Sequence, residues 1–236
     1  MLKKIKVKNG VGIVPEGTTE LMYHTFEDAS KLVSVVIPNT VRCIGFGAFE
    51  GCSSLTSISI PSSVNTIQGR AFEGCSSLTS ISIPSSVKTI QQGAFKGCSS
   101  LATIVVEEGN RHYDSRNNCN AIIETKSNTL VVGCKNTIIP DSITHIGASA
   151  FDGCTSLASI TIPNGVTDIG SSAFDGCTSL ASVSIPSSVT RIGSHVFYNT
   201  QIYNDESNWD CGLLYVDNCL VDSRQGDYCY RLLRMY

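Results

Sequence analysis

Cysteine, histidine and serine are the residue types in this chain that could ligate a metal or act as nucleophiles. The 236 residues include 11 cysteines and four histidines, and the latter are His24, His112, His145 and His195. A zinc site needs ligands at close spacings such as Cys-x-x-Cys, which the sequence lacks. The histidines fall at unrelated positions, which predicts single exposed side chains. No serine lies in a Gly-x-Ser-x-Gly turn. We therefore expect no enzyme and no metal site.

One stretch rich in acidic and amide residues has the look of a calcium-binding loop. Asp114, Asn118, Asn120 and Glu124 offer oxygen atoms, but Arg116 occupies a ligand position and the required glycine is missing. Glycine-rich phosphate-binding motifs are absent, and a net charge of −3 gives no reason to expect nucleic acid. No apolar run reaches the roughly 18 residues of a membrane span. We expect no cofactor, no nucleic acid and no membrane insertion.

The cysteines follow a pattern that favours packing over chemistry. Five of them recur at one position of a 23-residue repeat, each directly after a glycine: Cys52, Cys75, Cys98, Cys154 and Cys177. Stacked side chains at such a position would point in parallel, which favours buried free thiols over disulfides. Cys134 falls at a leucine position and is also expected in the core. Any disulfide is expected among Cys119, Cys211, Cys219 and Cys229.

The repeat predicts the fold. Residues 48–64 and 71–87 are identical, and the prolines and seven of eight phenylalanines recur in register with the same 23-residue step. The phenylalanine positions are Phe26, Phe49, Phe72, Phe95, Phe151, Phe174 and Phe197. Within one unit, apolar residues alternate with serines over residues 55–60, as in a strand that ends at Pro61. A fixed period of this length is typical of a solenoid, in which each unit buries its apolar face against its neighbours.

The repeat motif L-x-x-I-x-I-P-x-x-V-x-x-I-x-x-x-A-F-x-x-C resembles the BspA-like class of leucine-rich repeats, over about residues 11–222. The resemblance implies a curved solenoid whose L-x-x-I-x-I strands line the concave face, and binding or adhesion rather than catalysis. Because such repeats are common in bacterial surface proteins, it also implies a cell-surface or secreted location. The N-terminus has lysines but no apolar signal-peptide stretch, so a complete chain would be cytoplasmic.

We predict a β-rich right-handed solenoid of about eight 23-residue coils, one of them expanded, with short helical turns on the convex side. Residues 1–14 are predicted to form an N-terminal cap, because alternating lysines protect an edge strand. Residues 15–200 are assigned to the solenoid, and 107–139 to the expanded coil with a hairpin that projects from the stack. Residues 201–236 are assigned to a C-terminal hairpin and an irregular cap or tail.

Candidate binding residues lie where the repeat is interrupted. Binding hot spots are enriched in Trp, Tyr and Arg, whereas the exposed positions of the regular strands are small and hydroxylic. The candidates are Arg111, His112, Tyr113, Arg116, Tyr198, Tyr203, Trp209 and Tyr215. Alternatively, these aromatic residues cover the open end of the core. The expected partner is a protein or glycan, such as host matrix or another cell surface; the alternative is a spacer or fragment without a binding site.

Overall fold

The computed structural model describes residues 4–23, 25–26, 29–217, 219–223 and 230–231, and the chain forms a β-solenoid of about eight coils. The strands are β1 (Val11–Ile13), β2 (Glu20–Leu21), β3 (Ser34–Val36), β4 (Cys43–Ile44), β5 (Thr66–Ile67), β6 (Ser80–Ile83), β7 (Thr89–Ile90), β8 (Thr103–Val106), β9 (Tyr113–Asp114), β10 (Ile122–Glu124), β11 (Thr129–Val132), β12 (His145–Ile146), β13 (Ser159–Thr161), β14 (Asp168–Ile169), β15 (Ser182–Ser184), β16 (Arg191–Ile192), β17 (Trp209–Asp210), β18 (Leu213–Val216), β19 (Cys219–Ser223) and β20 (Tyr230–Arg231). The α-helix α1 spans Gln201–Asn204, and 3-10 helices span Ala29–Lys31, Arg116–Asn118 and Glu206–Asn208.

Strands line two faces of the stack, which we call the first and the second sheet, although each is divided into shorter hydrogen-bonded sheets. In the first sheet, the strands that precede the repeat prolines pair in parallel as β1–β3, β6–β8 and β13–β15. In the second sheet, the strand orders are β2-β4-β5-β7 and β20-β16-β14-β12-β11-β10-β9. Strands β9, β10 and β11 come from the expanded coil and β20 from the C-terminal segment, and the others follow the repeat prolines. Regular partners are 23 residues apart, as in Ser80 with Thr103. The predicted strand periodicity is found at the equivalent positions β6, β8, β13 and β15, whereas residues 55–60, the unit from which it was predicted, form no strand.

The phenylalanines form two stacks inside the solenoid. Ring centroids lie 5.3, 5.3 and 5.0 Å apart from Phe26 to Phe95, and 5.1 and 5.6 Å apart from Phe151 to Phe197. The convex segments that carry them are runs of hydrogen-bonded turns, such as Cys52 N to Phe49 O at 3.1 Å, where the sequence predicted short helical turns. Phenylalanine rings stacked at this spacing form a continuous apolar column.

The repeat cysteines lie in the core beside these rings. The thiol of Cys75 donates to the Phe49 carbonyl at 3.2 Å, and that of Cys98 donates to the Phe72 carbonyl at 3.2 Å. Burial raises the pKa of the Cys52 thiol to about 12, so the group stays protonated and unreactive. The ten cysteines within the described residues, which leave out Cys229, are unbridged.

The hairpin of the expanded coil lies inside the stack, so the prediction that it projects was wrong. Strands β10 and β11 pair antiparallel, and β11 continues in parallel into β12. Both β10 isoleucines are fully buried, but Ile122 belongs to the N-terminal core and Ile123 to the C-terminal core. The hairpin separates the two cores, because successive side chains of a strand point to opposite faces.

The insertion widens the solenoid on one side only. The second sheet gains β9, β10 and β11 between β7 and β12. On the convex side, Gly97 N donates directly to Asp152 O at 2.9 Å, and Lys96 Nζ lies 3.1 Å from Asp152 Oδ2. The insertion therefore adds three strands to the second sheet, whereas on the convex side the coils before and after it are in direct contact.

The chain ends depart from the repeat. Near the N-terminus, Ile5 is buried and its backbone bridges to Phe26, while Lys4, Lys6 and Lys8 are exposed. Strands β18 and β19 form an antiparallel hairpin whose turn begins at Asp217 with φ 49°. His24, Cys229 and most of the tail after Ser223 lie outside the described residues. No helix of the described part of the chain is long and apolar enough to cross a membrane.

Candidate binding surface

The expanded coil presents Arg111 and His112 on an exposed turn that Asn110 holds in place. The Asn110 side-chain oxygen accepts hydrogen bonds from His112 N at 2.9 Å and Tyr113 N at 3.0 Å. Its amide nitrogen donates to the carbonyls of Pro84 at 3.0 Å and Val87 at 3.1 Å. One asparagine thus ties the turn to the preceding coil and leaves the Arg111 and His112 side chains in solvent.

Tyr113 and Arg116, two other predicted binding residues, are engaged inside the protein. Tyr113 is 5% exposed, and its hydroxyl accepts a hydrogen bond from Ile90 N at 2.9 Å. Arg116 donates to both carboxylate oxygens of Asp114, at 2.8 and 2.6 Å, and to Asn128 at 3.0 Å. A paired guanidinium of this kind orders a loop, and little of it remains for a ligand. Their geometry is that of residues which fix the insertion.

The C-terminal aromatic residues form one continuous contact chain. His195 meets Tyr198 edge to face at 5.7 Å, Tyr198 meets Tyr203 at 5.0 Å, and Tyr203 meets Trp209 at 5.0 Å. We call these four side chains the aromatic ladder. Tyr198 is 39% exposed, whereas Tyr203 and Trp209 are half-buried against the C-terminal core. Edge-to-face contacts of this kind stabilise the arrangement by about 0.5 to 1.5 kcal/mol each.

Helix caps and one ring hydrogen bond hold the aromatic ladder in place. Buried Thr200 caps α1, because its hydroxyl accepts from Tyr203 N at 3.1 Å and donates to Phe197 O at 2.6 Å. Asp205 caps the following turn by accepting from Ser207 N at 2.9 Å. The indole of Trp209 donates to Tyr203 O at 2.7 Å. Because Thr200 fixes α1 and the Trp209 indole is hydrogen-bonded, Tyr198 packs on an ordered neighbour, which limits the side-chain entropy lost on binding.

Polar groups flank Tyr198. Gly176 N donates to Tyr198 O at 2.9 Å, so Asp175 lies on the neighbouring rung of the same column. Burial raises the pKa of the Asp175 carboxyl, although Lys96, His195 and a hydrogen bond from Asn199 act in the opposite direction. An exposed aromatic ring beside carboxylate, amide and imidazole groups can provide both apolar contact and hydrogen bonds to a ligand.

The structure does not bring all the predicted residues together. Tyr215 lies on β18, outside the aromatic ladder, and lines a cavity of about 180 Å³ with Ser182, Asn208 and Asp217 among others. The expanded coil is farther away, because five strand steps separate β9 from β16 in the second sheet. At about 4.8 Å a step, this is about 24 Å along the stack. The predicted set therefore divides into separate surfaces.

Sequence reasoning missed a charged ladder on the second sheet. His145, Asp168 and Arg191 occupy paired positions of β12, β14 and β16. His145 Nε2 lies 3.4 Å from Asp168, and Arg191 Nε donates to the same carboxylate. Burial acts to raise the pKa of Asp168, but the hydrogen bonds from Arg191 and Thr167 outweigh it and lower the pKa. The 23-residue spacing of these three residues was the available signal.

The described residues contain no group of three or more His, Cys, Asp or Glu side chains that could hold a metal ion. In the Asp114–Glu124 stretch, Asp114 is paired with Arg116, and the Glu124 carboxylate accepts from the Ser127 hydroxyl at 2.5 Å. These oxygens serve the fold of the insertion.

Comparison with protein families gives a match to the BspA type leucine-rich repeat region, in six copies over residues 19–128 and 121–208. A leucine-rich cell surface protein from Faecalibacterium prausnitzii is similar in structure with TM-score 0.62 and 32% identity, over 73% of this chain and 46% of that one. A leucine-rich repeat protein from Bacteroides ovatus has TM-score 0.50 and 26% identity, over 80% and 49%.

The pneumococcal vaccine antigen PcpA shares the fold, with TM-score 0.67 and 21% identity, over 80% of this chain and 54% of that one. The chain thus spans about half the length of these three solved structures. No curated protein matches the chain in sequence.

Proposed function

Because the chain belongs to the BspA-type leucine-rich repeat family, we propose that it is a non-catalytic binding module of a cell-surface protein, with a protein or glycan as its ligand. Proteins of this class are repeat scaffolds that in general bind other proteins. The likeness to a leucine-rich cell surface protein at 32% identity supports the location. Adhesion to host matrix or to another cell is the role that we assign to the module.

The observation that carries this proposal is the aromatic ladder. Tyr198 is exposed, and its position is fixed through Tyr203 and Trp209 by hydrogen bonds that do not involve its own ring. Rigid aromatic side chains of this kind are typical anchors of binding interfaces. The exposed positions of the described regular strands carry small hydroxylic side chains and single aliphatic ones such as Val36 and Val105, while Tyr113 and Arg116 are engaged internally. We therefore place the principal contact at Tyr198.

The test is an array of matrix proteins and glycans probed with the intact chain. Saturable binding to at least one component is expected, and Tyr198→Ala should weaken it at least about 10-fold, which corresponds to about 1.4 kcal/mol. Tyr23→Ala is the matched control, because Tyr23 is an exposed tyrosine at the other end of the stack. Unfolding curves should show that both variants are fully folded under the conditions of the binding assay.

Absence of saturable binding would favour a structural spacer over a binding module. Binding that is unchanged by Tyr198→Ala and lost with Arg111→Ala would move the contact to the expanded coil. Equal loss with Tyr198→Ala and Tyr23→Ala would mean that the ladder is no specific anchor.

A further inference from the structure

Within the described residues, the first sheet is interrupted at residues 57–60, which form no strand, and again between β8 and β13, where a gap opens. Strands β6 and β8 pair over four residues, and β13 pairs with β15 over three. Between residues 136–139 and β13, the described residues make no backbone hydrogen bond. A cavity of about 410 Å³ opens there instead. It is lined by Thr137, Ile138, Ile139 and Asp141 on one side and by Ser159, Ile160, Thr161 and Pro163 on the other.

The segment beside the gap contains a residue that breaks the repeat. Thr137 stands at the position that is Ile81 or Ile160 in regular coils. Its hydroxyl accepts from Cys134 N at 2.8 Å and donates to Asn120 O at 2.6 Å. Thr137 N also donates to Cys134 O at 3.1 Å, which replaces strand by turn. The segment is thereby tied to the insertion rather than to β13.

The same two coils are in close register everywhere else. Thr167 N donates to Thr144 O at 2.8 Å, and Gly170 N donates to Ile146 O at 2.8 Å. On the convex side, Phe151 N donates to the Ala173 carbonyl at 2.8 Å. These bonds hold the coils together on two sides, so the gap is a fixed opening of the first sheet and not a general loosening of the stack.

The edge of β13 that faces the gap carries backbone groups that have no partner within the described part of the chain. In a parallel ladder, alternate residues direct their N–H and C=O groups to opposite neighbours. Thr103 N donates to Thr79 O of the preceding coil, and Ser159 and Thr161 occupy the equivalent alternate positions of β13. Their backbone groups thus face the coil from which the gap separates them. Such an edge is a template for an added strand.

The side chains around the gap indicate what that strand should carry. Ile138 is 73% exposed beside the cavity and offers an apolar contact. Asp141 is exposed at the end of the cavity and forms no ion pair within the described residues. A basic side chain of a bound segment would therefore find an uncompensated carboxylate there.

We propose that this gap binds an extended peptide of a partner protein, which adds a strand along β13, packs an apolar side chain on Ile138 and places a lysine or arginine at Asp141. Backbone hydrogen bonds to Ser159 and Thr161 supply affinity, and the two side-chain contacts supply specificity. The site lies on the first sheet and does not rest on the aromatic ladder. A failed test of one surface leaves the other untouched.

The probe is a display library of random linear eight-residue peptides, panned on the intact chain. Selected peptides are expected to pair a basic residue with an apolar one and to slow hydrogen exchange at the Ser159 and Thr161 amides. Methylation of single backbone nitrogens at alternate peptide positions should weaken binding at least about 10-fold, because a strand uses alternate amides. Asp141→Asn should weaken binding by peptides with the basic residue.

Ile13 provides the matched control for Ile138. It occupies the same repeat position at the other end of the first sheet and is 65% exposed. Ile138→Ser should reduce peptide affinity, whereas Ile13→Ser should not. Failure to select peptides, or selected peptides that leave exchange at Ser159 and Thr161 unchanged, would overturn the proposal. Slowed exchange there through dimerisation alone would also overturn it, since a second copy would then fill the gap.

Discussion

The regular coils at residues 38–106 and the expanded coil at 107–139 solve the same packing problem in different ways. In the regular coils, each apolar position stacks on its copy, as in the three rings of Phe49, Phe72 and Phe95. The expanded coil has no copy. Its β10 strand buries Ile122 in one core and Ile123 in the other.

This contrast explains where polar side chains stabilise the fold. In the regular coils, exposed side chains can vary with little effect on stability, because backbone hydrogen bonds and the buried apolar columns define each coil. In the expanded coil, single polar groups such as Asn110, Arg116 and Thr137 each make several specific hydrogen bonds. Where the chain departs from the repeat, individual side-chain hydrogen bonds therefore replace the contacts that the regular coils share. The surface of the expanded coil differs from that of the regular coils for this reason.

The largest effect is expected from Phe72→Ala in a regular coil. Phe72 is fully buried between two rings, so truncation should lower the free energy of unfolding by about 3 to 5 kcal/mol. Because the hairpin separates the two cores, loss of hydrogen-exchange protection should concentrate in residues 38–106. Phe174→Ala should concentrate the loss in residues 144–197. Equal loss in both halves for each variant would show that the hairpin transmits stability and does not divide it.

Thr137→Val should have the next largest effect and tests the polar side of the comparison. The change keeps the side-chain shape but leaves buried Cys134 N without its partner and Asn120 O with only the Cys134 thiol as donor. We expect a loss of about 2 to 4 kcal/mol, measured by urea unfolding. Thr161→Val, on the exposed side of a regular strand, is the control and should change stability by less than about 0.5 kcal/mol. Similar losses for both would remove the contrast.

The buried columns of the regular coils could be predicted almost completely from the sequence. The columns that contain Phe72 and Cys75 could be assigned to the core because residues at a fixed step occupy equivalent positions in a stack. The hairpin at 122–132 was also recognisable from its alternation and turn. Its place inside the stack was not, because the insertion has no period that fixes which rung it joins.

The candidate site was less predictable for the same reason. Tyr113 and Tyr198 are both tyrosines in interrupted segments, yet one hydroxyl is bonded to Ile90 N and the other ring is exposed. Local sequence does not distinguish them, since the difference lies in which coil each faces. The ladder His145, Asp168 and Arg191 could have been found from its 23-residue step, which marks facing positions even when the residue types differ.

Lys96→Met should produce a smaller, pH-dependent effect where the coils meet across the insertion. Burial raises the pKa of Asp152, and the bond from Lys96 acts against this; Asp175, the other neighbouring acid, raises it. A raised carboxyl pKa means that stability is lost as pH rises through the folded-state pKa. Without Lys96 that pKa rises further, so the loss should be steeper.

The expected result is a variant close to the parent below pH 4 and less stable by about 1 to 2 kcal/mol at pH 7, because a buried carboxylate then lacks its partner. Urea unfolding across this pH range measures the difference. Lys88→Met, at an exposed lysine, is the control and should leave the pH profile unchanged. A Lys96→Met profile parallel to that of the parent would show that Asp152 does not depend on Lys96.

The smallest effect is expected where the sequence is copied. Ser59 and Ser82 occupy equivalent exposed positions of two coils that are identical over residues 48–64 and 71–87. Neither side chain has a partner whose loss would leave a buried polar group, so Ser59→Ala and Ser82→Ala should each change stability by less than about 0.5 kcal/mol. Neither should change ligand binding on the array. A loss of binding with either serine variant, and none with Tyr198→Ala, would reverse the comparison and place recognition on the copied surface.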